Sequence, residues 1–359
     1  MPNLAVGLIG FGYAGQTFHA PLIRATPALQ LVAVASSNAA KVHAALGPGV
    51  EVTTADALTS RSDIDLVVIA TPNDRHHPQA LAALRAGRHV VVDKPFALDA
   101  AQARELVDEA RRCGRLLSVF HNRRWDSDFL GLKQVLEQGL VGRPVELVSH
   151  FDRYRPQVRA RWREGAGPGS GLWLDLGPHL VDQAIQLFGA PSAITLDQAT
   201  LRDSAVADDY VHASLRWDCG PHAGLRVHLH ASALTARPGA RFTLHGTAAS
   251  YTVDGLDGQE AALKAGADTA QIRCDSWGSE PRQASLWTSH DDATSARPMG
   301  LPAGAYPHYY AAVARAIHGL AEMPVTAEQA LAVQQVLDAG RLSARERREV
   351  ALEPFDRRC

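Results

Sequence analysis

With 359 residues, the chain is longer than a single hydrophobic core usually extends, so two domains are expected. Its 36 basic and 38 acidic residues leave a net charge of -2, which gives no reason to expect nucleic acid or an anionic membrane as a partner. No apolar segment approaches the roughly 20 residues that a transmembrane helix needs, so a cytoplasmic protein that acts on small molecules is predicted.

An apolar run, Leu4–Ile9, opens the chain and is predicted to form a β-strand. Three glycines with the spacing G-x-G-x-x-G follow it: Gly10, Gly12 and Gly15. A predicted helix (Ala14–Ala25) and a second strand (Leu29–Ala35) complete a βαβ unit of ordinary length. In such a unit, the first glycine permits a tight turn, the second lets the backbone approach a pyrophosphate, and the third lets the helix pack against the strand. We therefore predict a dinucleotide site that includes Tyr13 and Ala14; an ordinary glycine-rich turn is the alternative.

Strand-like and helical runs then alternate as far as residue 120, which predicts a parallel, doubly wound sheet. The predicted strands are Ile64–Ala70, Arg88–Val92 and Leu116–Phe120, and the predicted helices are Gln79–Ala86 and Ala100–Arg111. The polar and aromatic segment 121–126 marks a change in pattern. We therefore assign residues 1–121 to a dinucleotide-binding domain of the Rossmann type and residues 122–359 to a second domain.

The second domain is predicted to be α+β with an open, mostly antiparallel sheet, because period-2 alternation dominates it. After a helix at Asp128–Glu137, the predicted strands are Val145–Arg153, Ala193–Leu201, Tyr210–Trp217, Leu225–Ala233 and Arg241–Gly246. Residues 255–302 are polar, rich in glycine and weakly periodic, and are expected to form loops and short strands outside the core. Two helices are predicted near the end: Tyr309–His318, and Ala327–Gly340 with Thr326 as its N-cap and Gly340 as its last residue.

The identity of the dinucleotide depends on the end of the second strand, where a carboxylate would accept a hydrogen bond from the ribose 2′-hydroxyl of NAD. Ser36, Ser37 and Asn38 stand there instead, followed by Lys41. Two hydroxyls and an ammonium, without a carboxylate, suit the 2′-phosphate of NADP, so NADP is predicted as the preferred cofactor and NAD as the other candidate. Alternatively, Lys41 is only a solvated helix charge and Ser36 serves either cofactor.

Two further segments lie where predicted strands end, which is where ligands of open α/β sheets bind. One is a turn and its continuation, with the candidate residues Thr71, Pro72, Asn73 and His76. The other places Lys94, followed by Pro95, just after three valines. Lys94 is therefore a candidate to point into the same crevice; a surface charge is the alternative.

A third candidate segment contains Asp175, Gly177, Pro178 and His179. Pro178 is typical of the first turn of a helix, which would run to Phe188 and end at Gly189. His179 would then lie at the positive end of the helix, where a neutral imidazole is favoured, as a general base requires, and Asp175 could orient its ring. A metal site or a capped structural histidine is the alternative. No second cluster of His or Cys with ligand spacing accompanies the segment, so no metal is predicted.

Taken in order, these motifs resemble those of the glucose-fructose oxidoreductase/inositol dehydrogenase/MocA family over nearly the whole chain. The N-R-R-W-D segment (Asn122–Asp126) and the W-R-E segment (Trp162–Glu164) are closest to its NADP-dependent scyllo-inositol dehydrogenase-like proteins. The resemblance implies a Rossmann domain, a second domain with an open sheet, and homo-oligomers, dimers or tetramers, formed through that sheet. Asp93 stands where Glu is commoner in the family, and Asn38 stands where several NADP-using relatives have Arg.

The resemblance also implies hydride transfer between the cofactor and a secondary alcohol or ketone of a cyclic polyol or sugar, such as an inositol or a pyranose. Lys94 would hydrogen-bond the reacting oxygen and the nicotinamide ribose, His179 would exchange the proton, and Asp175 would hold His179 or a substrate hydroxyl. Further cofactor contacts are expected from Asn73, His76, Asn122, Arg124, Trp162 and Arg163.

Two other functions, a cofactor-binding sensor and a glycosidase, stay open on these residues. A cofactor-binding sensor without catalysis would not need Lys94, Asp175 and His179, and an NAD-dependent glycosidase does not suit the predicted preference for NADP. The arginines between Arg153 and Arg163 are interpreted mostly as a solvated loop, which could close over cofactor or substrate.

Overall fold

The computed structural model describes residues 2–290 and 293–352. The chain forms two compact units that are not continuous in sequence. The first contains the residues up to Trp125 together with Gly258–Gly278 and Ala305–Leu331, and the second contains Asp126–Asp257, Ser279–Gly304 and the residues from Ala332 onward. A single boundary after residue 121 differs from this division, because two later segments pack with the first unit.

Strands and α-helices are numbered separately, each in chain order. The strands are β1 (Leu4–Ile9), β2 (Leu29–Ala35), β3 (Glu51–Thr53), β4 (Leu66–Ile69), β5 (His89–Val92), β6 (Leu117–Val119), β7 (Pro144–His150), β8 (Ala193–Ala199), β9 (Tyr210–Arg216), β10 (Arg226–Ser232), β11 (Phe242–Gly246), β12 (Ser250–Val253), β13 (Gln283–His290), β14 (Ala293–Gly300) and β15 (Val350–Ala351). The α-helices are α1 (Ala20–Ala25), α2 (Ala39–Leu46), α3 (Ala55–Ser60), α4 (His76–Arg85), α5 (Ala100–Cys113), α6 (Ser127–Glu137), α7 (Leu172–Phe188), α8 (Gln259–Lys264), α9 (Thr269–Arg273), α10 (Pro307–Ile317) and α11 (Ala327–Glu346).

The first unit is built on a six-stranded parallel sheet with the order β3-β2-β1-β4-β5-β6. Every residue of β4 is buried, as expected for a strand covered on both faces. The strand order reverses at β1, because β2 and β3 lie on one side of it and β4, β5 and β6 on the other. The strands β1 and β4 are neighbours and pair from Val6 opposite Leu66 to Ile9 opposite Ile69. The predicted doubly wound sheet is confirmed, and its ligand crevice is expected at the carboxyl ends of β1 and β4.

The second unit is built on a nine-stranded sheet with the order β14-β13-β12-β11-β7-β10-β9-β8-β15. Its pairs are antiparallel except for β7 with β10, which confirms the predicted mostly antiparallel sheet. The core of this unit includes Leu180, Val181 and Ala184 of α7 and alternate residues of the central strands. No helix of the described residues is both long and apolar enough to cross a membrane.

The expectation for residues 255–302 is wrong in two respects. Leu263 of α8 and Ile272 of α9 are buried in the core of the first unit. The strands β13 and β14 are eight residues long and extend the sheet of the second unit. The described side chains of β14 are almost all exposed, so the strand has no alternation of polar and apolar residues from which to predict it.

The helix that carries the third candidate segment begins earlier than predicted, at Leu172. Asp208 fixes this start, because its carboxylate accepts from the Trp173 N–H at 2.7 Å and its carbonyl accepts from the Leu172 N–H at 2.9 Å. Pro178 therefore lies in the helix interior, where it has no N–H to donate to the Leu174 carbonyl one turn earlier. Consequently His179 is in the third turn, beyond the reach of the helix N-terminal charge. The predicted end at Gly189 is confirmed.

The last helix starts as predicted and ends later. Thr326 Oγ1 accepts from the Gln329 N–H at 3.2 Å, which confirms the N-cap. Gly340 does not end α11, which continues to Glu346. A Cβ at Gly340 would lie 2.8 Å from the Trp173 indole, so this glycine makes room for a packed ring within the helix.

Candidate cofactor and substrate sites

The glycine loop lies at the carboxyl end of β1, and each of its three glycines has a distinct environment. Gly10 has a φ of 98°, and a Cβ there would lie 2.6 Å from the Ala70 carbonyl oxygen. A Cβ at Gly15 would overlap the carbonyl oxygen of Gly10. At Gly12, by contrast, a Cβ would have no atom within 4 Å. Two positions thus need glycine for packing inside the protein, whereas Gly12 leaves open space where a pyrophosphate can approach the backbone.

The residues after β2 bring a cation to this loop. Lys41 Nζ donates to the Phe11 carbonyl at 3.0 Å and lies 5.8 Å from the centre of the Phe11 ring. Asn38 caps α2 by accepting from the Lys41 N–H at 2.9 Å, and Ser36 Oγ accepts from the Asn38 N–H at 3.2 Å. Ser37 is exposed beside them. Lys41 is therefore more than a solvated helix charge, because it extends back over the glycine loop.

His76 connects the loop after β4 to the loop after β5. Its Nδ1 lies 2.8 Å from the Pro95 carbonyl oxygen and its Nε2 lies 3.0 Å from the Thr71 carbonyl oxygen. The ring is completely buried, so the structure gives His76 a positioning role between the two loops. Asn73 is buried next to it, Pro72 is exposed, and Lys94 is half-buried at the carboxyl end of β5.

A buried polar chain that the sequence did not indicate supports the loop of Lys94. Burial alone would raise the pKa of the Asp93 carboxyl, but the His19 imidazole, 3.8 Å away, and the charge of Lys94 lower this pKa to about 2. His19 Nδ1 in turn lies 2.6 Å from the Tyr310 hydroxyl. Because Tyr310 is nearly 300 positions away from His19, only the folded chain reveals this connection.

Among the remaining predicted cofactor contacts of the first unit, Arg124 and Tyr13 have protein partners. Arg124 is buried, and its guanidinium donates to Gln329 Oε1 at 2.8 Å and to the Pro324 carbonyl at 3.2 Å. The Tyr13 hydroxyl donates to Glu260 Oε1 at 2.8 Å, although the side chain is 46% exposed. Both Asn122 and Ala14 are buried.

In the second unit, Asp175 and His179 lie one turn apart on the same face of α7. The Asp175 carboxylate pairs with Arg163 Nε at 3.4 Å, and the Arg163 guanidinium stacks 4.5 Å from the centre of the Trp162 ring. His179 is buried, with its ring stacked on Phe151 at 6.5 Å. The structure thus brings four predicted site residues of this unit together: Asp175 and His179 in the first half of α7, and Trp162 and Arg163 in the segment that precedes this helix.

A cleft opens next to Asp175, and we refer to it as the arginine cleft. Its charged lining residues are Arg153, Arg155, Arg161, Arg163, Arg202, Glu164, Asp175, Asp208 and Asp209. The arginine-rich stretch is largely an exposed loop, as predicted, and four of its arginines also line this cleft. Arg202, Asp208 and Asp209 follow β8 and carry no motif, so sequence reasoning missed them.

Two histidines flank a buried carboxylate on the sheet of the second unit. Asp152 accepts at Oδ1 from His230 Nδ1 at 2.8 Å and at Oδ2 from His150 Nδ1 at 3.1 Å. Among the described residues, these three form a group compact enough to hold a metal ion. The two hydrogen bonds already satisfy the carboxylate, so a structural role explains the group.

Comparison with known proteins agrees with this architecture. Residues 4–121 match a family model described as "Oxidoreductase family, NAD-binding Rossmann fold", and residues 133–352 match one described as "Oxidoreductase family, C-terminal alpha/beta domain". The uncharacterized oxidoreductase YdgJ of Escherichia coli K12 is 48% identical over 350 residues, which cover 98% of this chain and 99% of YdgJ. The scyllo-inositol 2-dehydrogenase (NADP(+)) IolW of Bacillus subtilis is 34% identical over 353 residues, 98% of this chain and 96% of IolW. A solved structure from Yersinia pestis has a TM-score of 0.91 at 46% identity and covers 98% of both chains.

Proposed function

Since the chain belongs to the glucose-fructose oxidoreductase/inositol dehydrogenase/MocA family and is an NAD(P)-binding oxidoreductase, we propose that it transfers a hydride between NADP and a cyclic polyol or sugar. The reacting group would be a secondary alcohol, or the matching ketone in the reverse direction. The observation that carries this proposal is the placement of Asp175 and His179 one turn apart on α7 beside an open cleft. The name of IolW, an NADP-dependent scyllo-inositol dehydrogenase, supports the same substrate class.

The residues present fit a dinucleotide. Gly12 provides open space at the carboxyl end of β1, and the N–H groups at the start of the following helical segment suit a pyrophosphate. We assign the 2′-phosphate to the region of Ser36, Ser37 and Lys41, because it combines hydroxyls with an ammonium and lacks a carboxylate. When bound, the cofactor would supply a hydride acceptor, or donor, at C4 of its nicotinamide.

The chain's own residues would handle the substrate oxygen and its proton. In the oxidising direction, Lys94 would donate a hydrogen bond to the alcohol oxygen and stabilise the negative charge that develops on it. His179 would accept the hydroxyl proton, and Asp175, held by Arg163, would orient the imidazole or a neighbouring substrate hydroxyl. In the reducing direction, His179 would return the proton to the same oxygen. His76, which joins the loops after β4 and β5, would keep Lys94 in position.

The proposal is tested by following absorbance at 340 nm with purified protein, NADP or NAD, and a panel of inositols and aldoses. We expect one polyol or sugar to reduce NADP faster than NAD. If NADPH binds tightly but no member of the panel reacts in either direction, the substrate class is wrong. The proposed homo-oligomer through the open sheet is tested separately, by light scattering of the purified protein; a monomeric mass would contradict it.

A further inference from the structure

The arginine cleft contains more positive than negative charge, and most of its charged groups are paired. Glu164 accepts from Arg161 at 2.6 Å and from Arg202 at 3.0 Å. Asp209 accepts from Arg202 at 2.8 Å, and Asp175 pairs with Arg163. Five guanidinium groups face four carboxylates in this cleft. With all of them ionised, one positive charge is left over.

Within the described residues, Arg155 lines the cleft without an anionic partner in direct contact. The backbone N–H of Arg155 donates to the Ala233 carbonyl at 2.7 Å. Within the described residues, however, the Arg155 guanidinium has neither a hydrogen-bond acceptor nor an ion-pair partner. The side chain is nevertheless half-buried in the cleft. Burial, followed by the charges of the neighbouring arginines, lowers its pKa to about 10, so the group is still cationic at neutral pH. The charge of Asp175 acts in the opposite direction but does not cancel the cost of burial, so an anion supplied by a ligand would stabilise the guanidinium further.

The same cleft contains Asp175, one of the residues to which we assign substrate chemistry. Gly171 and Leu172 also line it, at the start of α7, where the N–H groups of Leu172 and Trp173 already donate to Asp208. Arg155 therefore faces the space in which a substrate held by Asp175 would extend.

We propose that Arg155 binds a carboxylate of the substrate, and that the natural substrate is a sugar acid, meaning a pyranose or cyclic polyol that bears one carboxylate. This inference rests on the proposed function and narrows its substrate class. A carboxylate is chosen because its single negative charge matches the net positive charge of the cleft, and because a guanidinium can donate two parallel hydrogen bonds to it. A neutral hydroxymethyl group at the same place would leave the guanidinium unpaired.

The test compares two sugars that differ only at one carbon, glucuronate and glucose, with NADP and the wild-type enzyme. We expect kcat/KM to be at least about 10-fold higher for glucuronate, since hydrogen bonds to charged groups carry a preference of this order. Arg155→Gln should remove this preference, and Arg155→Lys should restore part of it. The matched control is Arg159→Gln, which removes the same charge four residues away at an exposed position that does not line the cleft, and should keep the preference. Melting curves of all variants show whether they are folded.

Several outcomes would overturn the inference. If glucose and other neutral polyols react as well as glucuronate, the carboxylate assignment fails while the proposed function stands. If Arg155→Gln raises KM for NADP and leaves the sugar preference unchanged, Arg155 belongs to the cofactor site. A preference for glucose 6-phosphate over glucuronate would replace the carboxylate by a phosphate. If no sugar reacts, the proposed function fails, and direct titration of the NADP-loaded protein decides the inference: glucuronate must bind more tightly than glucose, and more weakly to Arg155→Gln.

Discussion

Alanine substitutions at two glycines of the same loop should affect different properties, stability at Gly15 and cofactor binding at Gly12, because their surroundings differ. At Gly15 a methyl group would meet the carbonyl oxygen of Gly10, and a backbone atom cannot turn away as a side chain can. Overpacking of this kind destabilises by about 1–3 kcal/mol. For a unit of 150–250 residues, about 1 kcal/mol lowers the melting temperature by roughly 2–4 °C, so Gly15→Ala should melt about 2–12 °C below the wild type.

Gly12→Ala should leave stability unchanged and weaken cofactor binding. No atom lies within 4 Å of the new methyl group, and Gly12 does not have a positive φ, so alanine fits without strain. Its change in unfolding free energy should stay within about 0.5 kcal/mol. The methyl group would, however, occupy the space that we assign to the pyrophosphate. Loss of close backbone contact there should raise Kd for NADPH by about 10-fold or more, which corresponds to about 1.4 kcal/mol.

The two variants are compared by thermal unfolding without cofactor and by titration of NADPH fluorescence. Gly12→Ala with a wild-type melting temperature and weak NADPH binding supports the assignment of the loop. A Gly12→Ala protein that binds NADPH as tightly as the wild type would refute it, because the open space would then have no part in binding. A Gly15→Ala protein that melts with the wild type would refute the packing argument.

Three further predictions concern the proposed catalytic residues, the proposed phosphate-binding lysine and a buried carboxylate. Lys94→Ala and His179→Ala should each lower kcat by about 10² or more with NADPH binding nearly unchanged; activity within a few-fold of the wild type would contradict their roles. Lys41→Asp should shift the ratio of kcat/KM from NADP towards NAD, and an unchanged ratio would exclude a phosphate contact. Burial alone would raise the pKa of Asp152, but hydrogen bonds from His150 and His230 lower this pKa to about 2. The ionised carboxylate therefore stabilises the folded protein above about pH 4, and this contribution is lost as the pH falls towards about 2. Asp152→Asn should therefore lower the midpoint of urea unfolding near pH 6, and its midpoint should approach that of the wild type as the pH falls. An equal difference in midpoint near pH 6 and in acid would contradict this.

The sequence predicts five of the six strands of the parallel sheet, because they are short apolar runs, whereas the edge strand β3 is a three-residue Glu-Val-Thr segment without such a run. The glycine loop and Lys94 could be located for the same reason, since both come directly after such runs. The start of α7 could not be predicted, because Asp208 fixes it from more than 30 residues away. Gly340 does not end its helix as predicted, because its role is to admit the ring of Trp173 from another element.

The substrate side shows the limit of local patterns more clearly. Arg155 belongs to a run of arginines in which the local pattern does not indicate which members are paired. Arg161 differs from Arg155 in that it donates a hydrogen bond to Glu164. Glu164 in turn also accepts from Arg202, which lies almost 40 residues further along the chain. Such a balance of charges exists only after folding, so motifs can indicate candidate catalytic residues but not the charge of the ligand that a cleft would favour.

The interrupted sequence of the first unit affects how the protein is made. Tyr306, Tyr309 and Tyr310 are completely buried in the core of that unit, although its parallel sheet is finished at Val119. During synthesis, the sheet would leave the ribosome long before the aromatic residues that cover it. We expect the nascent first unit to expose apolar surface until about 200 more residues have been added, and a fragment ending near residue 121 to aggregate. Folding of the cofactor domain is therefore a late event, and chaperones would have most of the translation time in which to bind it.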